Sequence, residues 1–213
     1  SFFRTQIAEG SMLPSGKMPY EVFIPAYRDE ILSDTVMVYG NVDEVELVLN
    51  GKTIRRQTAD KGPDSDYIPV PNGGNGKNLH FPPFTFYGVP KERGVLKAVG
   101  YHQGKKVAEY TVKTPGVPER LDITYFESGK PATKNDLLIV YVRMLDKQGV
   151  LCPVNGIPVE LSVQGGEIVG PTSYPLEAGV ASFLVRTGEI SKININATGK
   201  GFSTRKSLKV GKE

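Results

Sequence analysis

The sequence predicts an all-β protein made of two tandem β-sandwich domains with a short N-terminal lead-in. Apolar and polar residues alternate with the period of two that half-buried strands require, and turn signals recur every ~8–12 residues. No amphipathic helix longer than the lead-in is visible. The chain has 213 residues, of which 39% are hydrophobic and 23% charged. This composition is too apolar for general disorder and fits one or two domains.

The predicted lead-in comprises residues 1–20. The spacing of Phe2, Phe3 and Ile7 predicts a short helix that ends at Gly10 and Ser11. Within this chain, Phe3 and Ile7 have no obvious packing partner. We therefore expect the lead-in to be the end of a missing neighbouring structure.

The first predicted sandwich spans residues 21–115. In residues 44–49, Val45, Leu47 and Leu49 point to one face of a strand and the glutamates to the other. Asn50-Gly51 follows at once and predicts a type I′ hairpin turn. Residues 60–80 are rich in turn formers and predict a long surface loop. The other strands are predicted at residues 22–24, 35–39, 53–55, 84–87, 95–101 and 107–112.

The second predicted sandwich spans residues 119–211. Thr114-Pro115-Gly116-Val117-Pro118 predicts the connector, because two prolines around a glycine favour an extended linker. Residues 137–145 are apolar on both faces, as in a central strand, and 146–149 predict a turn. With about 100 residues each, both halves match the size of immunoglobulin-like domains. The other strands are predicted at residues 121–126, 158–163, 180–186, 192–198 and 207–210.

Charge and cysteine content disfavour several functions. The formal net charge is +3, with 26 basic and 23 acidic residues mixed along the chain. Arg55-Arg56 and Lys105-Lys106 are only pairs, so we expect no nucleic-acid partner. No apolar run approaches the ~20 residues of a membrane span. The one cysteine, Cys152, predicts a buried, inert thiol and permits no intrachain disulfide.

The acidic residues give no catalytic pattern. Glycosidases need two carboxyl groups across the scissile bond, whereas strand faces and turns hold Glu44, Glu46, Asp122 and Asp146. We expect these four carboxylates to be solvated.

The remaining polar motifs are also incomplete. The histidines are His80 and His102, and no G-x-S-x-G motif places a nucleophile near them. Asp64-Ser65-Asp66, with Asp60 nearby, lacks the rest of an EF-hand calcium loop. The glycine-rich stretch 73–77 lacks the closing Ser/Thr and the helix of a phosphate loop. We expect no catalytic residue, no cofactor and no metal site.

Several stretches resemble family 2 glycoside hydrolases of the β-galactosidase type. YGNVDEVELVLNGK (39–52) is similar to the "YSNCEEVELFLNGK" that follows the catalytic barrel in that family. FPPFTF (81–86) and GVLKAVGY (94–101) resemble its later "PPFTF…GTLKAVGY", and VRMLDKQGV (142–150) its "V-x-V-L-D-K-x-G-N" turn. FFRTQ (2–6) resembles the "FYRSQ" helix that closes the barrel. Val42 departs from the family, which often has Cys there.

The resemblance implies a non-catalytic C-terminal region of such an enzyme. It places the catalytic glutamates in a barrel upstream of residue 1, so none is carried over to this chain. The implied partner is that barrel, on the same polypeptide, and we expect a periplasmic or secreted location. An alternative is a carbohydrate-binding module that holds polysaccharide through exposed tyrosines such as Tyr67, Tyr87 and Tyr101, although Trp is absent. The third hypothesis is a free-standing enzyme.

Overall fold

The computed structural model describes residues 3–13, 16–25, 34–60, 79–125 and 131–211. The chain divides into two compact units, Ser1–Thr114 and Pro115–Glu213. Within the described ranges the regular structure is almost entirely β, with one 3₁₀ turn at Arg4–Gln6. None of that part of the chain forms a helix long and apolar enough to cross a membrane. The all-β prediction is confirmed.

The first unit is an antiparallel β-sandwich. One sheet has the strand order β3-β4-β7 and the other β6-β5-β8-β9, and β1 pairs with β2 in the lead-in. Apolar side chains of both sheets form one core. The strands are β1 (Met12–Leu13), β2 (Gly16–Lys17), β3 (Val22–Phe23), β4 (Val36–Gly40), β5 (Glu44–Leu49), β6 (Lys52–Thr58), β7 (Phe84–Phe86), β8 (Val95–His102) and β9 (Lys105–Lys113).

The β5–β6 hairpin follows directly from its residues. Val45 and Leu47 are fully buried on the inner face of β5. Asn50 and Gly51 adopt φ angles of 51° and 80°, the left-handed conformation that a type I′ turn requires. The predicted inner face of β5 and the predicted hairpin turn are therefore both present.

The second unit is also an antiparallel sandwich. Its sheets have the strand orders β10-β11-β15-β13 and β14-β12-β16-β17, and both contribute to one core. The strands are β10 (Arg120–Tyr125), β11 (Leu137–Leu145), β12 (Pro158–Gln164), β13 (Gly166–Ile168), β14 (Ser173–Pro175), β15 (Val180–Thr187), β16 (Lys192–Gly199) and β17 (Phe202–Lys209).

The second unit differs from the sequence prediction in the short strands β13 and β14, which were not predicted, and in two further features. Strand β11 is an inner strand of its sheet, as predicted, but only one of its faces is buried. Leu137 and Ile139 lie on the other face, 50% and 43% exposed. Strand β17 begins at Phe202, five residues before the predicted start, because its polar residues pair with β16 along the whole hairpin.

Candidate functional site: the lead-in attachment

The predicted acidic residues do not converge in the described part of the chain. On the outer face of the β6-β5-β8-β9 sheet, Arg56 Nη2 lies 2.5 Å from Glu44 Oε2. In the second unit, Arg143 Nη2 lies 2.5 Å from Asp122 Oδ2. These carboxylates therefore form ion pairs on strand faces. No group of three His, Cys, Asp or Glu side chains within the described ranges could hold a metal ion.

Asp146 corrects the expectation of a solvated acid. Its side chain is buried in the β11–β12 turn. Oδ2 accepts the Gly116 N–H at 2.7 Å and Oδ1 the Val150 N–H at 2.8 Å. Burial is the largest single influence on the Asp146 pKa and would raise it, but the surrounding backbone N–H groups together lower it. This carboxylate therefore anchors the start of the second unit to its turn.

The two histidines have separate environments. His102 Nδ1 lies 3.0 Å from Asp43 Oδ1, and its ring stacks on Tyr20 with centroids 4.9 Å apart. The Gln103 N–H is the largest cause of a lowered Asp43 pKa, and His102 adds to it. His80 is exposed and packs edge-on against Phe81. The structure does not bring these rings to a shared nucleophile.

The described tyrosines proposed for sugar stacking do not form a common platform. Arg56 covers one face of the Tyr101 ring, with its guanidinium carbon 3.7 Å from the centroid. The Tyr101 hydroxyl donates to Glu46 at 2.7 Å, which raises the Tyr101 pKa. Tyr87 is 51% exposed but follows β7 of the other sheet. Tyr67, Asp64, Asp66 and the glycine-rich stretch 73–77 lie outside the described residues.

Among the described residues, an extensive polar site joins the lead-in to the sandwich of the first unit through Asn41. This residue follows β4 and is only 3% exposed. Its Oδ1 accepts the Glu21 N–H at 2.6 Å, and its Nδ2 donates to the Ile7 and Pro19 carbonyl oxygens, both at 3.0 Å. One short amide thus satisfies three backbone groups, two in the lead-in and one in the residue that follows it. We call Asn41 with these partners the Asn41 anchor.

Two further contacts fasten the 3₁₀ turn of the lead-in. The Gln6 amide forms a two-way pair with Phe81: its Nε2 donates to the Phe81 carbonyl at 3.0 Å, and its Oε1 accepts the Phe81 N–H at 3.2 Å. Arg4 binds Glu21 through both Nε and Nη2. Between them, Thr5 is fully buried.

The helical part of the lead-in is therefore shorter than the sequence predicted, and the lead-in makes more hydrogen bonds to the sandwich than expected. The helical part is the three-residue turn at Arg4–Gln6, and Ile7 is already extended. Ile7 is half-buried, whereas Phe3 is 80% exposed. The sequence analysis did not predict the Asn41 anchor. The one feature that could have indicated it is a polar amide directly after an apolar strand.

The chain matches known proteins over most of its length. A family model described as a domain of unknown function, DUF4982, matches residues 33–108. A β-galactosidase of Rhizobium radiobacter is 30% identical over 129 residues, which cover 60% of this chain and 92% of that protein. A β-galactosidase of Thermoanaerobacter pseudethanolicus is 30% identical over 176 residues, covering 77% of this chain but 22% of that protein.

A solved structure agrees with these relatives. A family 2 glycosyl hydrolase of Bacteroides cellulosilyticus is 25% identical, with a TM-score of 0.63 over 82% of this chain and 24% of that one. The chain thus spans less than a quarter of the length of this enzyme and of the Thermoanaerobacter relative. The family resemblance seen in the sequence is confirmed. The chain belongs to the family 2 glycoside hydrolases of the β-galactosidase type, and it is a C-terminal region of such an enzyme.

Proposed function

We propose that this chain is a non-catalytic accessory region that braces a catalytic barrel on the same polypeptide, within an enzyme that hydrolyses β-linked sugars such as β-galactosides. The relatives support the parent activity, because they are named as β-galactosidases and most of the Thermoanaerobacter protein lies outside the match. The ion pairing of Glu44 and Asp122 supports an accessory role.

The observation that carries the bracing role is the Asn41 anchor. It holds the lead-in at Ile7 and Pro19 and the adjoining Glu21, while Gln6 binds Phe81. A barrel that runs into Phe3 would be connected to the first sandwich through fixed hydrogen bonds. Phe3, 80% exposed, would then be covered by the barrel.

Activity measurements test the accessory role. The purified chain should not hydrolyse nitrophenyl β-galactoside above the rate of a mock purification. The parent enzyme without residues 21–213 should keep its catalytic residues but lose activity faster on heating than the intact enzyme. Turnover by the isolated chain would refute the accessory role, and an unchanged inactivation rate after the deletion would refute the bracing role.

Location stays a prediction. We propose that the parent is periplasmic or secreted, and fractionation of cells that express it tests this: activity confined to the cytoplasmic fraction would contradict the proposal.

A further inference from the structure

The outer face of the β12, β16 and β17 strands carries an unusual set of polar side chains. Across the β16–β17 hairpin, Lys192 pairs with Lys209, Asn194 with Ser207, and Asn196 with Arg205. Strand β12 extends the middle rows, since Gln164 is opposite Asn194 and Ser162 opposite Asn196. Neighbouring strands are about 4.8 Å apart, so the residues of one row are adjacent to each other. We call this surface the β16 face.

The asparagines of the β16 face are not explained by strand formation. Ile193 and Ile195 are fully buried on the opposite face of β16 and fix its register. Asn is depleted in strands, where β-branched residues are preferred. The Ser207 hydroxyl donates to Asn194 Oδ1 at 2.7 Å, whereas the side-chain amide of Asn196 has no hydrogen-bond partner among the described residues. Its amide is therefore available to a ligand.

The cations of the β16 face also lack acidic partners. Within the described residues, Lys192, Lys209 and Arg205 have no carboxylate oxygen within 4 Å. By contrast, two of the three arginines on the outer face of the other sheet are ion-paired, Arg143 with Asp122 and Arg186 with Glu167. Strands β12, β16 and β17 contain a single acidic residue, Glu160, which is opposite Thr198. The three cations therefore give the β16 face a net positive charge.

We propose that the β16 face binds an acidic polysaccharide, one that carries carboxylate groups on its sugar rings. The lysines and Arg205 attract the carboxylates, and the amides and hydroxyls between them bind sugar hydroxyl groups. A nucleic acid fits less well, because the outward residues in these rows include no aromatic side chain on which bases could stack. This binding role goes beyond bracing a barrel, since it would hold an acidic polysaccharide near the parent enzyme.

Titration calorimetry with the complete chain tests the proposal. The probes are a galacturonate oligosaccharide, a neutral galactan oligosaccharide, and polyglutamate as an acidic polymer without sugar. We expect the galacturonate oligosaccharide to bind more tightly than either of the others. N194V/N196V keeps every charge and favours the strand, and it should weaken binding roughly tenfold through the lost hydrogen bonds.

Charge variants separate this site from general attraction. K192Q/K209Q should weaken galacturonate binding and reduce its salt dependence, whereas K105Q/K106Q removes the same charge from β9 and should leave binding unchanged. Far-ultraviolet circular dichroism confirms that each variant is folded. Equal affinity for polyglutamate and galacturonate, no binding of galacturonate by the native chain, or full binding by N194V/N196V would each overturn the proposal.

Discussion

Replacing Asn41 with alanine should unfold the first unit at a markedly lower temperature. The change removes three hydrogen bonds and leaves the Glu21 N–H and the carbonyl groups of Ile7 and Pro19 without their partner. Each such bond contributes about 1 kcal/mol net, and buried groups left unpaired add to the loss. The expected loss in the free energy of unfolding is about 3 kcal/mol.

The matching change in melting temperature follows from the size of the unit. For a unit such as Ser1–Thr114, a loss of 1 kcal/mol lowers the midpoint by about 4 °C, so Asn41→Ala should lower it by about 12 °C. Differential scanning calorimetry measures this, and hydrogen exchange at the Glu21 amide should accelerate in parallel. Asn196→Ala is the control, because it makes the same substitution at a half-buried asparagine of the second unit that is not part of the Asn41 anchor.

A small effect would refute this account of the lead-in. If Asn41→Ala lowered the midpoint by less than about 3 °C, or if Asn196→Ala lowered it equally, the three bonds would not fasten the lead-in. Unchanged exchange at Glu21 would lead to the same conclusion.

The other predictions concern one core position, the buried carboxylate and the hydrogen bond between Tyr101 and Glu46. Leu47→Asp places an unpaired charge at a fully buried position and should cost more than about 4 kcal/mol; an unchanged urea midpoint would show that the β5 face is misassigned. Asp146→Asn should cost about 2 kcal/mol at neutral pH, because the backbone N–H groups lose a charged acceptor. The Asp146 pKa is lowered by folding, so its stabilisation is present above the unfolded pKa of about 3.9 and is lost as the pH falls through the folded value. The difference between Asp146→Asn and the native chain should therefore shrink below about pH 4, and a constant difference in urea titrations would contradict the assignment. Tyr101→Phe removes the bond to Glu46 and should cost about 1 kcal/mol; no loss in urea unfolding would mean that water replaces the bond.

Local patterns predicted the strands wherever one face is buried and the other wet. Strand β5 has this alternation and the sequence Asn50-Gly51 immediately after it, so its position, face and turn could all be predicted. Strand β17 lacks a clear pattern, because most of its side chains are exposed at the edge of a sheet. Its start could be predicted only from its partner β16.

Tertiary hydrogen bonds were beyond such reasoning. Asn41 binds residues that are about 20 and 34 positions away in the chain, and no local periodicity encodes those partners. Asp146 was expected to be solvated because turns normally are, but Gly116 arrives from 30 positions away and covers it. The family resemblance pointed to both stretches without giving the contact that each residue makes.

The bracing role is tested most directly by the thermal inactivation of the parent glycosidase. We predict that Asn41→Ala shortens the half-life of β-galactoside hydrolysis at elevated temperature but leaves the initial rate at moderate temperature at the native value. The half-life of the control Asn196→Ala should equal that of the native enzyme. Equal half-lives for the native enzyme and Asn41→Ala would contradict the claim that this region braces the catalytic barrel through its lead-in.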